Sequence, residues 1–318
     1  MAAHWLNPIL KEKYVQYMKD YEQNGFMREV SRPPEGTPHY YMSHHGVINE
    51  SSSSTKLRTV YDASMKTSNG KSLNDLLLPG PSLLEDIPML LLSFRRFPTV
   101  FSGDIVPSKQ MYLQIELIPK HHLFQLIVWR PEPYMQLKTY ALVTVCFGVN
   151  CSPFLAIRTI KQIIKDHGHK YPRAAKALAD ALYMDDLVYG DKTDEDTRTL
   201  LKEVILLLAE GGFFMRKWTS NKSAILANFP SEDLEVPKSG FDDPVFKILG
   251  AFWACEKDIF SYKIKRAESV NTKRGLLSLI SSIFDPLGFL TPVIFKAKAF
   301  MQELWLISLG WDDPLPRN

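Results

Sequence analysis

Cysteine is scarce: Cys146, Cys151 and Cys255 are the only three in 318 residues. They form no CxxC pair and no Cys/His spacing suited to zinc, which argues against a disulfide scaffold or structural zinc site and favours a reducing compartment. Long apolar runs are missing too. No stretch approaches the roughly 18 apolar residues that a membrane span needs, and the N-terminus lacks the apolar segment of a signal peptide. There is no internal repeat. The single low-complexity stretch, Ser51-Ser52-Ser53-Ser54, reads as an exposed loop. Neither charge sign dominates: 38 Lys and Arg face 35 Asp and Glu, for a net charge of +3. Such mild basicity permits nucleic-acid binding without requiring it.

What is present is globular material. Hydrophobic residues make up 45% and charged residues 23%, enough to bury a core spread over two or three domains or subdomains. The most informative feature is Tyr183-Met184-Asp185-Asp186. Its flanks, Ala181-Leu182 and Leu187-Val188-Tyr189, are apolar and β-prone, so the segment reads as a tight hairpin with both aspartates at its tip. Two like charges about 4 Å apart repel by about 4 kcal/mol at an effective dielectric near 20. Solvent, a shared proton or a cation must offset that. Magnesium takes one or two carboxylates together with substrate phosphates, which points to phosphoryl transfer. The plain alternative is a solvated Asp-Asp turn.

Around the hairpin the elements follow a pattern. Tyr14, Tyr17, Met18 and Tyr21 lie at helical spacing, and Arg32-Pro33-Pro34-Glu35-Gly36 breaks the chain after them. Extended chain is expected over His39–Ile48 and Leu57–Tyr61. Ser82-Leu83-Leu84-Glu85 reads as a capping box opening a helix that carries Leu83, Leu84, Ile87, Leu90, Leu91 and Phe94. Strands are expected at Thr99–Ile105, Met111–Leu117, Leu123–Arg130 and Lys247–Trp253. Ser152-Pro153 reads as a cap and first-turn proline of a helix ending near Gly168, and a short helix at Ala174–Ala179 leads into the hairpin. Thr193 caps a further helix closed by Gly211-Gly212. The last fifty or so residues read as helical, broken at Asp285-Pro286 and restarted at Thr291-Pro292. Strand, helix, hairpin, helix, strand is the ferredoxin-like βαββαβ plan. Its first strand lies beside the hairpin, so Asp104 can join Asp185 and Asp186 in one carboxylate cluster. His44-His45 and His121-His122 are poor metal pairs, because neighbours along a strand point to opposite faces.

With these residues in place the chain resembles a reverse transcriptase, and more narrowly the polymerase of Pao-type (BEL/Pao) LTR retrotransposons. The resemblance rests on the order of several segments. Tyr40-Tyr41-Met42-Ser43-His44-His45-Gly46-Val47, Leu57-Arg58-Thr59-Val60-Tyr61-Asp62 and Gly70-Lys71-Ser72-Leu73-Asn74-Asp75 come first. Phe147-Gly148 with Ser152-Pro153-Phe154, the aspartate pair, Gly211-Gly212-Phe213 with Arg216-Lys217-Trp218, and Leu249-Gly250-Ala251-Phe252-Trp253 follow.

The family implies an α+β right-hand polymerase with a ferredoxin-like palm, fingers and a helical thumb. Its segments would be fingers at 1–98 and 119–146, palm at 99–118 and 147–255 with the primer grip, and thumb at 256–318, stopping before any ribonuclease H domain. It implies an RNA-directed DNA polymerase, a nucleotidyltransferase that extends a primer 3′-hydroxyl with two magnesium ions, manganese being able to replace them. Asp104, Asp185 and Asp186 match its metal-binding carboxylates, and Lys217 a general acid near the leaving pyrophosphate. Arg216 is adjacent, and spacing alone does not choose between the two. Arg58 matches an arginine on the incoming deoxynucleoside triphosphate. Tyr112 matches the aromatic that excludes a 2′-hydroxyl. Gly148, Ser152, Pro153, Tyr183 and Met184 match substrate-binding positions, and Leu249, Gly250 and Trp253 the primer grip. The implied partners are an RNA or DNA template with its primer, and no membrane; the oligomeric state is left open. The implied location is the cytoplasm, in virus-like particles, and the implied source a larger polyprotein.

One departure stands out. Between Asp104 and Tyr112 this chain has three residues more than the family, and removing Val106-Pro107-Ser108 restores the usual order. An odd insertion in a strand turns every later side chain to the other face unless it loops out. Two rival readings follow: an inactive retrotransposon-derived remnant that keeps the fold and binds nucleic acid, and an RNA-dependent RNA polymerase, against which Tyr112 argues.

Overall fold

The structure, a computed structural model, describes residues 8–48, 57–105, 111–238, 243–262 and 270–316. The insert Val106-Pro107-Ser108, the serine run and the basic residues Lys263, Lys265 and Arg266 lie outside the described residues. In chain order the elements open with α1 (Pro8–Gln23), β1 (Met27–Val30), β2 (Ser43–Ile48), β3 (Leu57–Asp62), α2 (Leu73–Leu76), α3 (Ile87–Phe94) and β4 (Thr99–Ile105). They continue with β5 (Leu126–Trp129), β6 (Lys138–Leu142), α4 (Ser152–His167), α5 (Pro172–Ala181), β7 (Leu182–Tyr183) and β8 (Asp186–Asp191). The remainder are α6 (Asp194–Ala209), β9 (Met215–Ser220), β10 (Phe246–Ile248), β11 (Ala251–Ala254), β12 (Ile259–Ser261), α7 (Lys273–Ser281) and α8 (Thr291–Leu306).

The chain divides into two compact units. The first comprises Met1–Leu84, Val106–His169 and Leu208–Phe214; the second comprises Glu85–Ile105, Lys170–Leu207 and Met215–Asn318. In the first, β1, β6 and β5 form an antiparallel sheet and β2 pairs with β3. Tyr14, Met18 and Tyr21, one face of α1, are buried with Met27, Met42, Tyr61 and Leu142 in one core. Burial pushes the Tyr14, Tyr21 and Tyr61 hydroxyls well above the usual phenol range, so they stay neutral.

In the second unit the four-stranded antiparallel sheet has the order β7-β8-β4-β9. Counted within the sheet, that is second, third, first, fourth, the ferredoxin-like order read from the sequence. A smaller sheet, β10-β11-β12, carries fully buried Trp253, whose ring meets Phe94 edge-on at 5.0 Å. Leu276, Ile280, Met301 and Leu304 form a separate small core between α7 and α8.

Several elements differ from expectation. Ser82-Leu83-Leu84-Glu85 opens no helix; α3 begins after Asp86, with Pro88 in its first turn. A helix starting at Leu83 would have put Pro88 in its interior, where it lacks an N–H and strikes the preceding turn. The capping box is instead at Ser72 and Asp75, on the one-turn α2. Met111–Gln114 is a 3-10 turn, not a strand, and Pro119–Phe124 is another, which shortens the next strand to Leu126–Trp129. Lys247–Trp253 is not one strand but the hairpin of β10 and β11. Leu249 and Gly250 turn it with φ of 45° and 86°, the two positive values of a type I′ turn. Finally, the cap of α4 is Cys151, while the Ser152 hydroxyl donates to the Cys146 carbonyl at 2.6 Å.

Candidate active site

The sheet of the second unit brings the predicted carboxylates together. Asp104, on central β4, is the direct partner of Asp186 on β8 and of Arg216 on β9. Directly opposed residues in antiparallel strands project on the same face. Asp186, Asp104 and Arg216 therefore form a row across that face. Tyr183 pairs with Asp186, so Met184 and Asp185 are the two turn residues of the hairpin. Met184 alone of that pair has a positive φ, 55°, the sign pattern of a type II′ turn, whose first position favours glycine. The Asp185 carbonyl accepts from the Ile105 backbone N–H at 2.6 Å, which ties the turn to β4.

β9 carries a bulge opposite Gly103: Ser102 pairs with Thr219, yet Asp104 pairs with Arg216, one residue further than regular pairing allows. The extra residue lets Lys217 take φ 53°, and its ammonium donates to Asp104 Oδ2 at 2.5 Å. Arg216 turns away; its Nε donates to Asp233 Oδ1 at 2.5 Å. Thus the structure distinguishes two cations that spacing could not. Trp218 packs against Gly103, where an added Cβ would meet Trp218 Cε3 at 2.5 Å. That glycine, next to Asp104, is required by the close approach of the indole.

Three carboxylates face one ammonium. Desolvation first, then the charge of Asp104, its hydrogen bond and the charge of Asp185, push the Asp186 carboxyl up to about 8. Desolvation and the Asp104 charge also raise Asp185, though it stands exposed on the turn, where water offsets part of the effect. For Lys217 burial disfavours the ammonium, but the hydrogen bond and charge of Asp104 outweigh it and the pKa rises. Crowded negative charge and burial thus favour the protonated form of Asp186. Among the described residues no three His, Cys, Asp or Glu side chains form a ready ligand set. Oxygen-only donors with surplus negative charge nonetheless suit a hard divalent ion, and magnesium needs only one or two carboxylates when a substrate supplies phosphate oxygens.

The other predicted positions are placed as follows. In the first unit Arg58 is exposed on β3, and Tyr112 is buried in its 3-10 turn with its ring 4.6 Å from that of Phe147. Gly148 has φ 90°, and a Cβ there would fall on the Tyr61 carbonyl oxygen, so the close backbone approach that requires glycine is to the protein itself. Ser152 is buried, and Pro153 is exposed in the first turn of α4. In the second unit Leu249 is buried. Gly250 lies under the Phe284 ring. Trp253 is 0% exposed and donates to Asp258 at 3.0 Å, so it supports its hairpin from within and cannot itself touch a primer. Sequence reasoning missed Asp233, which holds Arg216; an aspartate in a short loop carries no distinguishing signal. His122 is held by Arg28 and the Leu117 carbonyl, as a structural histidine.

Residues 272–318 match the family described as "Pao retrotransposon-like RNaseH-like domain". That description differs from the thumb expected there; the matched stretch holds α7, α8 and, among the described residues, no strand. No curated protein matches the chain. Among solved structures, a foamy viral protease-reverse transcriptase dRH in complex with ds DNA is similar with a TM-score of 0.63 at 14% identity, over 95% of this chain and 44% of that one. A foamy viral protease-reverse transcriptase in complex with RNA/DNA hybrid gives 0.60 at 12% identity, over 98% and 35%. At such identities the likeness is one of fold, and the chain spans less than half the length of either. No helix among the described residues is long and apolar enough to cross a membrane.

Proposed function

We propose that this chain is an RNA-directed DNA polymerase with fingers, palm and thumb, in which the four-stranded sheet is the palm. The observation that carries the reading is the row of Asp186 and Asp104 on one sheet face, with Asp185 on the adjoining turn. In the reaction a primer 3′-hydroxyl attacks the α-phosphate of a deoxynucleoside triphosphate, and the bond to pyrophosphate breaks. Asp104, Asp185 and Asp186 would hold magnesium or manganese, which supplies Lewis-acid stabilisation of charge on the transferring phosphoryl group. Positioning and electrostatics then account for most of the catalysis. Lys217, which donates to Asp104, would give a proton to the departing pyrophosphate. Arg58, exposed on β3, is assigned to the triphosphate by the resemblance alone. Tyr112, backed by Phe147, is the side chain proposed to reject a 2′-hydroxyl.

Primer extension on poly(rA)/oligo(dT) with magnesium tests this directly. Incorporation no higher than that of an Asp185→Asn control would favour the inactive remnant. Preference for ribonucleotides would favour the RNA-dependent RNA polymerase.

The matched family description suggests a second reading, a nuclease built on residues 272–318. Three of the four acids there are engaged locally, and the fourth, Glu303, stands exposed on α8. Asp285 accepts from Tyr262 and from two backbone N–H groups, Asp312 pairs with Arg274, and Asp313 accepts from the Gly310 backbone. The polymerase reading is therefore preferred for this chain.

A further inference from the structure

We infer that Lys217 is a displaceable internal cation on Asp104, that Asp233 is the positioning residue keeping Arg216 from taking its place, and that a divalent ion binds by exchange with Lys217. The inference rests on the polymerase reading only for the purpose of the ion.

Arg216 is the cross-strand partner of Asp104, and side chains so opposed lie within reach of each other. With no other anion near, its guanidinium would close a bidentate pair with that carboxylate, the strongest geometry available to either group. The structure shows a different outcome. Asp233 ends a 3-10 turn, Ser231–Asp233, and takes the Arg216 Nε. The turn is itself fastened to β9, since Leu234 bridges to Trp218 and the Glu235 N–H donates to the Trp218 carbonyl at 3.0 Å. Asp104 is left to Lys217.

An ammonium is a compact point charge on a flexible stem, whereas a guanidinium forms a planar fork. The Lys217 side chain is 36% exposed, so the ammonium can swing into solvent; that of Asp104 is only 21% exposed, so the carboxylate it leaves needs another cation in its place. In place, it supplies positive charge to Asp104 and to the neighbouring Asp185 and Asp186. Displaced, it stays tethered next to Asp104 by the β9 bulge. The exchange thus hands Asp104 to the ion and releases the proton donor in one event.

Mn²⁺ binding to the full chain, followed by the electron paramagnetic resonance signal of the free ion at fixed pH and without nucleic acid, tests this. Lys217→Gln is expected to tighten Mn²⁺ by about tenfold, within the usual range of coupling between two ligands. Asp233→Ala is expected to weaken it by a similar factor, with Arg216→Ala restoring affinity in the Asp233→Ala background and Asp233→Glu behaving as the wild type. A merely structural Asp233 would not be rescued by removing Arg216, so failure of that rescue overturns the positioning role. Normal wild-type binding, lost in Asp104→Asn but unmoved in Lys217→Gln, overturns the exchange while leaving the polymerase reading intact. Absence of Mn²⁺ binding in every variant with native circular dichroism counts against the metal-dependent reading itself, and the exchange falls with it.

Discussion

Two hairpin turns of the second unit share a strained first residue and differ in what surrounds it. Each holds a bulky residue in the left-handed region, Met184 at φ 55° and Leu249 at φ 45°. Such a conformation costs about 1–3 kcal/mol and persists only where the surroundings enforce it. At the Leu249 turn the surroundings are apolar. Leu249 is buried, Gly250 follows it as a type I′ turn requires, and the Phe284 ring covers the glycine. At the Met184 turn no glycine is present, Asp185 is exposed, and carboxylates crowd the space beyond. One turn spends its strain on packing, and the other holds charges where they repel.

The sharpest way to break that contrast is to remove the charges. Asp185→Asn and Asp186→Asn should each reduce primer extension by about 10³-fold or more, the scale of losing a group that organises phosphoryl charge. Leu249→Ala should leave incorporation per folded molecule within about tenfold, because its loss acts on packing. Equal losses at both turns would show that the Leu249 turn also carries chemistry.

The contrast can be sharpened at the strand that supports the acids. Gly103→Ala forces a Cβ against Trp218, which is buried and has no room to retreat. Overpacking of this kind costs about 1–3 kcal/mol. A lower denaturation midpoint is expected, together with weaker Mn²⁺ binding, because Asp104 is the next residue. Gly250→Ala meets the half-exposed Phe284 ring and also puts alanine at φ 86°, so its cost should be comparable but confined to stability, leaving Mn²⁺ binding unchanged.

The acid turn should also respond to pH in a way the apolar turn cannot. Asp186 is raised from its ordinary 3.8 to about 8 in the folded chain. Between those values the folded state keeps a proton that the unfolded state has released. The Asp186 contribution to stability is therefore complete at low pH and is lost as pH rises through the window, until it is gone above about 8. Magnesium should compete with that proton, so thermal melts should show a larger rise in midpoint with magnesium at pH 8 than at pH 6. A magnesium effect independent of pH would sever the link between the proton and the ion.

Much of this was legible from the sequence, for physical reasons. The hairpin was readable because apolar β-prone flanks left the aspartates only the turn to occupy. Thr99–Ile105 was readable from its β-prone Thr99, Val100, Phe101 and Ile105, whereas the burial of Ser102 within it, in a strand buried everywhere but Asp104, was not. The sheet order followed from the alternation of elements. What stayed hidden depends on contacts across the sheet. The bulge at Lys217 is fixed by pairing with β4, and no local residue announces it. The Leu249-Gly250 turn was masked because Lys247–Trp253 is apolar enough to pass for one strand. Met111–Gln114 alternates as a strand would, yet it turns, and only Glu116 goes on to bridge Thr144.

The smallest effect, and the cleanest comparison, comes from relieving the strain itself. Glycine adopts positive φ without steric cost, but it also gives up whatever the side chain packs against. At Leu249 the side chain is buried, and losing it costs about 2–5 kcal/mol with the cavity included, against about 1–3 kcal/mol of strain relieved, so Leu249→Gly should lower the melting temperature. At Met184 the side chain is only half-buried, and the first position of a type II′ turn is where glycine is favoured. Met184→Gly should therefore raise stability slightly, by about 0.5–1 kcal/mol. Opposite signs in parallel thermal melts would confirm that the two turns store strain for different ends. A loss of stability at both would mean that Met184 makes packing contacts worth more than its backbone strain, and the acid turn would then be held by its core after all.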